Sequence, residues 1–318
     1  MDIFDAIAEF VIFNLLSMRS GEPFTEALRF FIADMIKVLL LLAVMVFIVS
    51  ILRTFVTPIR VRKLLGGSKE GAGNFIAALL GVPTPFCSCS AVPLFIGLME
   101  AGVPLGVTFS FLVSSPLINE VAIALLLGLF GWKIAALYVG TGLVIAVASG
   151  VLIGRLNLEG EVEGFVYEIR SKGVEEKNLG WGARFRFAKM QTMDILAKVG
   201  PFILLGIGLG AFIHGFVPIG SLAELAGSDN PFAVPFVVLI GVPLYSNAAG
   251  TIPIIQALME KGMGIGTALA FMMSVTGLSL PEMIILRRVL KPKLLAVFIL
   301  ILAVSFVMVG LLFNALLA

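Results

Sequence analysis

An all-α integral membrane protein built from two inverted-topology repeats, each with long spanning helices and a broken or re-entrant helical hairpin, is the fold class the sequence predicts. Three observations predict it: long apolar runs, an internal repeat at a constant offset, and opposite loop charge in the two repeats. Hydrophobic residues fill 59% of the 318 positions and charged residues 13%, about half the charged share of an ordinary globular domain. Mean hydropathy is +1.10. One soluble core cannot hide so much apolar surface, so most of it must face lipid or pack between spans.

Along the chain, residues 1–20 read as an N-terminal helix in which Asp2, Asp5 and Glu9 interrupt the apolar pattern. This acidic start carries no basic region of the kind a secretory signal requires. Residues 21–154 form the first membrane repeat, residues 155–190 a polar connecting loop, and residues 191–318 the second repeat. Within the first repeat the apolar stretches are about 25–57, 71–100, 104–128 and 132–154; within the second they are about 191–217, 231–260, 264–287 and 292–317.

The repeat is visible residue by residue. With an offset of 160, Asp34 maps to Asp194, Pro58 to Pro218, and Gly81-Val82-Pro83 to Gly241-Val242-Pro243. Pro93 maps to Pro253, Leu98-Met99-Glu100 to Leu258-Met259-Glu260, and Gly102 to Gly262. Gly106, Ser114, Lys133 and Gly150 map to Gly266, Ser274, Lys293 and Gly310. Chance matches in apolar sequence fall on Leu and Val, not on Pro, Gly and Glu in constant register.

Loop charge predicts that the two copies are inverted. The loop after the first long span carries Arg53, Arg60, Arg62, Lys63 and Lys69, whereas its counterpart at 217–230 carries Glu224 and Asp229 and no Lys or Arg. Arg287, Arg288, Lys291 and Lys293 crowd one turn of the second repeat, and the matching turn at 127–133 has Lys133 alone. Loops near 63, 155–190 and 290 are therefore expected to be cytoplasmic. Inversion requires an odd number of crossings per repeat, so one stretch in each must not cross. The proline-interrupted stretches 71–100 and 231–260 fit: 71–82 as helix rises about 18 Å, a little over half of the roughly 30 Å hydrocarbon core.

The tips of these hairpins hold the first candidate site. In Gly81-Val82-Pro83-Thr84-Pro85-Phe86-Cys87-Ser88-Cys89-Ser90, prolines set the turn and withhold backbone donors, and Cys87, Ser88, Cys89 and Ser90 place two thiols and two hydroxyls together. Thiolates select soft ions and metalloids, and small Cys and Ser residues equally serve close helix packing. The second tip, Pro243-Leu244-Tyr245-Ser246-Asn247, offers Tyr245, Ser246 and Asn247, oxygen and amide groups in place of thiols. Backbone N–H groups at either tip could instead hold an anion.

A second pair of breaks interrupts the following stretches. Ser114-Ser115-Pro116-Leu117-Ile118-Asn119-Glu120 places Ser114, Ser115 and Asn119 beside an acid, and Ser274-Val275-Thr276-Gly277-Leu278-Ser279-Leu280-Pro281-Glu282 supplies a similar break. A carboxylate within the membrane costs about 2.5–3.5 kcal/mol on insertion scales, so a proton, a cation or a hydrogen-bond partner must compensate. Glu120 and Glu282 are thus proton-coupling candidates, with a buried structural carboxyl as the alternative. His214 is the chain's one histidine, which excludes a His-rich metal site within a subunit. No GxxxxGK[ST] occurs, and no cofactor or nucleic-acid partner is expected.

These strings, above all Pro83-Thr84-Pro85-Phe86-Cys87-Ser88-Cys89-Ser90 and Ser114-Ser115-Pro116-Leu117-Ile118-Asn119-Glu120, resemble the ArsP/YraQ-type permease family, and the likeness extends over nearly all of the chain. The resemblance implies a bacterial or archaeal inner-membrane permease, not an enzyme, some relatives of which export trivalent organoarsenicals. Unmodified arsenite prefers three thiolates, whereas a methylated or aryl arsenical needs two, which Cys87 and Cys89 supply. The expected partners are the lipid bilayer and a small-molecule or metalloid solute, and a homo-oligomer is compatible with the reading. Two alternatives stand beside it: a permease for a small anion or sulfur compound, and a membrane thiol oxidoreductase using the Cys-x-Cys pair.

Overall fold

A computed structural model describes residues 3–15, 18, 22–53, 71–82, 94–99, 101–164, 166, 180–216, 230, 232–244, 251, 255, 258–259 and 262–317. Among them the chain is helical throughout, apart from turns and one antiparallel bridge between Val162 and Leu290. The helices are α1 (Ile3–Glu9), α2 (Pro23–Arg53), α3 (Ala72–Gly81), α4 (Leu105–Leu117), α5 (Glu120–Arg155), α6 (Trp181–Phe216), α7 (Ala233–Gly241), α8 (Ile265–Gly277), α9 (Leu280–Leu286) and α10 (Pro292–Leu317). A single π-helical stretch, Phe10–Leu15, continues α1.

Among the described residues, three helical stretches are long and apolar enough to cross a membrane: Ala122–Arg155, Ile265–Leu286 and Pro292–Leu317. Their outward faces carry bare hydrocarbon, including Val144, Leu300, Val304 and Met308, each at least half exposed. Water would make such faces costly, and lipid makes them ordinary. Trp132 and Trp181 are also exposed, as expected of aromatic anchors at a membrane interface.

Helix bounds and turns recur at the offset read from the sequence. α4 at 105–117 answers α8 at 265–277, and α3 ends at Gly81 where α7 ends at Gly241. The turn before α4 is a Schellman motif in which the Gly102 N–H donates to the Met99 carbonyl and the Val103 N–H to the Leu98 carbonyl. Before α8 the Gly262 N–H donates to the Met259 carbonyl and the Met263 N–H to the Leu258 carbonyl. Gly102 and Gly262 have φ of 79° and 98°, the left-handed conformation that this motif assigns to glycine.

Packing between helices recurs too. A Cβ added at Gly106 would stand against the Gly150 carbonyl oxygen, and one added at Gly266 against the Gly310 carbonyl oxygen. Small residues here let α4 cross α5, and α8 cross α10, at backbone contact. α5 is two helical segments joined at Gly131, whose φ of 79° and ψ of 173° break the ladder. Its counterpart is the turn 287–291 between α9 and α10.

α2 and α6 pack along each other. The Phe47 ring lies 5.8 Å from the Phe185 ring, and a Cβ at Gly208 would lie 3.6 Å from the Phe31 ring. Early residues of one helix thus meet late residues of the other, so the pair runs antiparallel. α6 starts at Trp181, inside the stretch 155–190 expected to be the connecting loop. Trp181 and Phe185 stack one turn apart, 6.3 Å between rings, and such i,i+4 pairs extend a helix into polar sequence.

The rest of the connecting loop starts by docking on the second half. The Glu163 N–H donates to the Val289 carbonyl and the Lys291 N–H to the Glu161 carbonyl, each at 2.8 Å. Arg287 pairs with Glu163 at 3.3 Å and Lys293 with Glu161 at 3.9 Å. Val162 and Val166 are buried in the main core. The C-terminal end of α5 consequently lies beside the N-terminal end of α10.

Candidate functional site

Two helix breaks define the interior. α4 stops at Leu117 because Ile118 (φ −118°, ψ 74°) and Asn119 (φ −101°, ψ 160°) leave the helical region. Asn119 then restarts the chain as α5: its Oδ1 accepts from the Ala122 N–H at 2.7 Å, and its Nδ2 donates to the Pro116 carbonyl at 3.2 Å. That is an N-cap, a residue type and geometry favoured at helix starts. In the second half α8 stops at Gly277, and Leu278 and Ser279 leave the helix. Here the Ser279 side chain makes no capping bond. The break is tied instead to the end of α7, where the Leu280 N–H donates to the Val242 carbonyl at 2.9 Å.

The breaks adjoin. Leu117 Cδ1 lies 3.7 Å from where a Cβ on Gly277 would stand. Tyr138 of α5, fully buried, donates its phenolic O–H to the Leu117 carbonyl at 3.0 Å, and the Thr276 hydroxyl of α8 donates to the Met272 carbonyl at 2.8 Å. Leu117 ends its helix, so its carbonyl has lost the donor a continuing helix provides. A buried carbonyl left without a donor costs about 1–3 kcal/mol, and the phenol removes that cost.

Serines lie where α3 meets α4 and where α7 meets α8. The Ser114 Oγ stands where a Cβ on Gly81 would fall and donates to the Phe111 carbonyl at 3.2 Å. The Ser274 Oγ, close against Gly241, donates to the Val238 carbonyl at 2.6 Å. Ser115 is buried next to Ser114. Glu282, in the first turn of α9, is buried to 1% exposure.

Of the residues picked from the sequence, Ser114, Ser115, Asn119 and Glu282 line or flank these breaks. Ser114 and Asn119 hold the backbone there. Cys87, Ser88, Cys89, Ser90, Tyr245, Ser246 and Asn247, and the Glu120 side chain, lie outside the described residues, as do the loop near residue 63 and the loop 217–229. Tyr138 was not singled out. A lone tyrosine in an apolar span was the available signal, since a buried tyrosine needs a partner for its hydroxyl. Among the described residues no group of three or more His, Cys, Asp or Glu side chains could hold a metal ion.

A helical bundle with lipid-type outer faces and paired breaks in its interior defines a multi-pass membrane protein. Residues 23–315 match the ArsP_1 family, described as "Predicted permease", and the chain belongs to that family of ArsP/YraQ-type permeases. It is similar to the UPF0718 protein YraQ of Escherichia coli, 26% identical over 93% of this chain and 83% of the relative. A UPF0718 protein of Methanocaldococcus jannaschii is 22% identical over 68% of this chain and 74% of its own. A Streptococcus mutans protein, proposed to be a subunit of a two-component membrane permease complex, is 20% identical over 86% of this chain and 90% of its own. No solved structure matches.

Proposed function

We propose that this permease is a secondary transporter of the inner membrane, built from two inverted repeats, that exports a soft, thiol-reactive solute such as a trivalent organoarsenical in exchange for protons. The observation that carries the transport reading is the meeting of two broken spans in the buried interior, with the Glu282 carboxyl one turn beyond one break. Broken backbone and buried carboxyls at membrane depth mark solute and proton paths.

Inversion is supported by two contacts between elements that match at the 160-residue offset. α2 and α6 run antiparallel, and the end of α5 lies beside the start of α10. Arg287, Lys291 and Lys293 then share one side with the connecting loop, the side that loop charge assigns to the cytoplasm. In this reading Cys87 and Cys89 bind the solute as a dithiolate, and Glu282 with Glu120 takes up and releases the coupled proton.

Everted membrane vesicles test it. Wild-type vesicles should accumulate a trivalent methylarsenical, and the uptake should collapse when the proton gradient is dissipated. Cys87→Ser/Cys89→Ser should abolish uptake, and Glu282→Gln should uncouple it from pH. Uptake no greater than in vesicles lacking the protein removes the arsenical, and uptake indifferent to both thiols removes the dithiolate.

A further inference from the structure

We propose that Arg186 and Lys189, at the start of α6, bind the phosphate headgroup of an anionic phospholipid, with the Trp181–Phe185 ring pair beside them at the membrane interface. This lipid is a partner distinct from the transported solute, and its binding needs no transport.

Depth along the bundle points to the site. α2 and α6 run antiparallel, and the 5.8 Å between the Phe47 and Phe185 rings sets those two residues level. Inward from there, Lys189 lies about 6 Å below Phe185 and Val44 about 4.5 Å below Phe47. Over this depth α2 shows bare hydrocarbon to the outside: Leu40, Val44 and Ile48 are each at least 44% exposed. At the same depth α6 shows Arg186 and Lys189, both exposed. One turn further in, its outward residues are Met190 and Met193, 65% and 60% exposed. Two cations therefore stand where the neighbouring helix faces acyl chains.

No acid on these helices answers them. α2 has no charged residue from Val38 to Leu52, and α6 has no acid from Trp181 to Met193. Arg186 and Lys189 are three residues apart and share one face, whereas Arg184 is half-buried and Ala188 turns fully into the bundle. A long basic side chain at this depth lays its stem along apolar surface and carries its charge up to the headgroups. There a phosphate oxygen accepts a charge-assisted hydrogen bond. A zwitterionic lipid brings its own cation beside that phosphate, which two adjacent basic residues repel, so the pair selects an anionic headgroup. Trp181, 65% exposed, stands just outside it, at the level where indole rings collect. From this end of α2 the sequence continues into Arg53, Arg60, Arg62, Lys63 and Lys69. That is the side loop charge assigns to the cytoplasm, the leaflet with a negative surface potential.

Trp181 reports the site directly. The chain has two tryptophans, Trp132 and Trp181, and Trp132 is 70% exposed, so Trp132→Phe leaves one emitter without disturbing a core. The full chain with this change is placed in phosphatidylcholine vesicles that hold an equal minor fraction of brominated phosphatidylglycerol or brominated phosphatidylcholine, with bromine near the head of the acyl chain. Brominated phosphatidylglycerol should quench about twofold more. Arg186→Gln/Lys189→Gln should make the two lipids equal, Lys189→Gln alone should reduce the difference, and Arg60→Gln/Lys63→Gln should leave it unchanged. Millimolar inorganic phosphate should also leave it unchanged. Equal quenching by the two lipids in the parent, or a preference that survives Arg186→Gln/Lys189→Gln, overturns the proposal. So does a preference lost equally in Arg60→Gln/Lys63→Gln, because the membrane would then read net charge and not this face. Displacement by inorganic phosphate overturns it as well, by assigning the pair to a soluble anion.

Discussion

The two helix breaks share a backbone and differ in almost every side chain that serves it. In both, the amide four residues after Ser114 or Ser274 closes the last helical turn, Ile118 N–H at 2.8 Å and Leu278 N–H at 2.9 Å. The first break is then held by side chains, through the Asn119 cap and the Tyr138 phenol. The second is held by main chain, through Leu280 to the Val242 carbonyl, and carries the buried Glu282. Backbone geometry and glycine contacts are what the halves keep in common, and chemistry is where they diverge.

The largest expected effect tests the shared part. Gly106→Val and Gly266→Val each force a branched side chain into a backbone carbonyl across a helix crossing. Overpacking of this kind costs about 1–3 kcal/mol and occasionally more. Both variants should lose most of their folded yield, or several degrees of melting temperature, in a fluorescence-detected thermal assay. Gly128→Ala, with nothing within 4 Å of the added carbon, should match wild type. If Gly266→Val folds normally while Gly106→Val does not, the two crossings are not equivalent.

The unlike part predicts an unequal pair. Asn119→Ala removes a cap bonded to Ala122 and should cost about 1 kcal/mol, whereas Ser279→Ala removes a side chain that caps nothing. Thermal shifts of the two variants, measured side by side, should separate by a few degrees. Equal losses would mean that the breaks are supported in the same way.

How much of this was legible in the sequence depended on whether a residue reports a shape or a partner. Gly102 and Gly262 stood in register in the sequence, and each proves to be a left-handed turn; the Pro83 and Pro243 registers reported the ends of α3 and α7 within a residue or two. Both are constraints that a residue type carries by itself. Ser114 and Asn119 stood out as polar groups in an apolar span, and the described structure hydrogen-bonds both to backbone; a polar side chain there advertises a need for a partner and not the partner's identity. The bond from Tyr138 to the Leu117 carbonyl spans a sequence separation that no local pattern encodes. The helical start of α6 at Trp181 was hidden by Arg184, Arg186 and Lys189, whose charge made a helix resemble a loop.

The smallest effect belongs to the strap between the halves. Arg287–Glu163 and Lys293–Glu161 are partly exposed pairs, each worth about 0.2–1 kcal/mol before screening by salt. Beneath them lie two backbone hydrogen bonds and two buried valines. The apolar and backbone contacts should therefore hold the strap, with the charges setting only its register. Arg287→Glu should lower the melting temperature by no more than a degree or two, less at high salt, and the swap Arg287→Glu/Glu163→Arg should restore it. Val162→Asp, which places a charge into the core under the same strap, should cost several times more. If the charge reversal proves as damaging as Val162→Asp, the ion pairs and not the buried valines tie the connecting loop to the second half, and high salt should then release it.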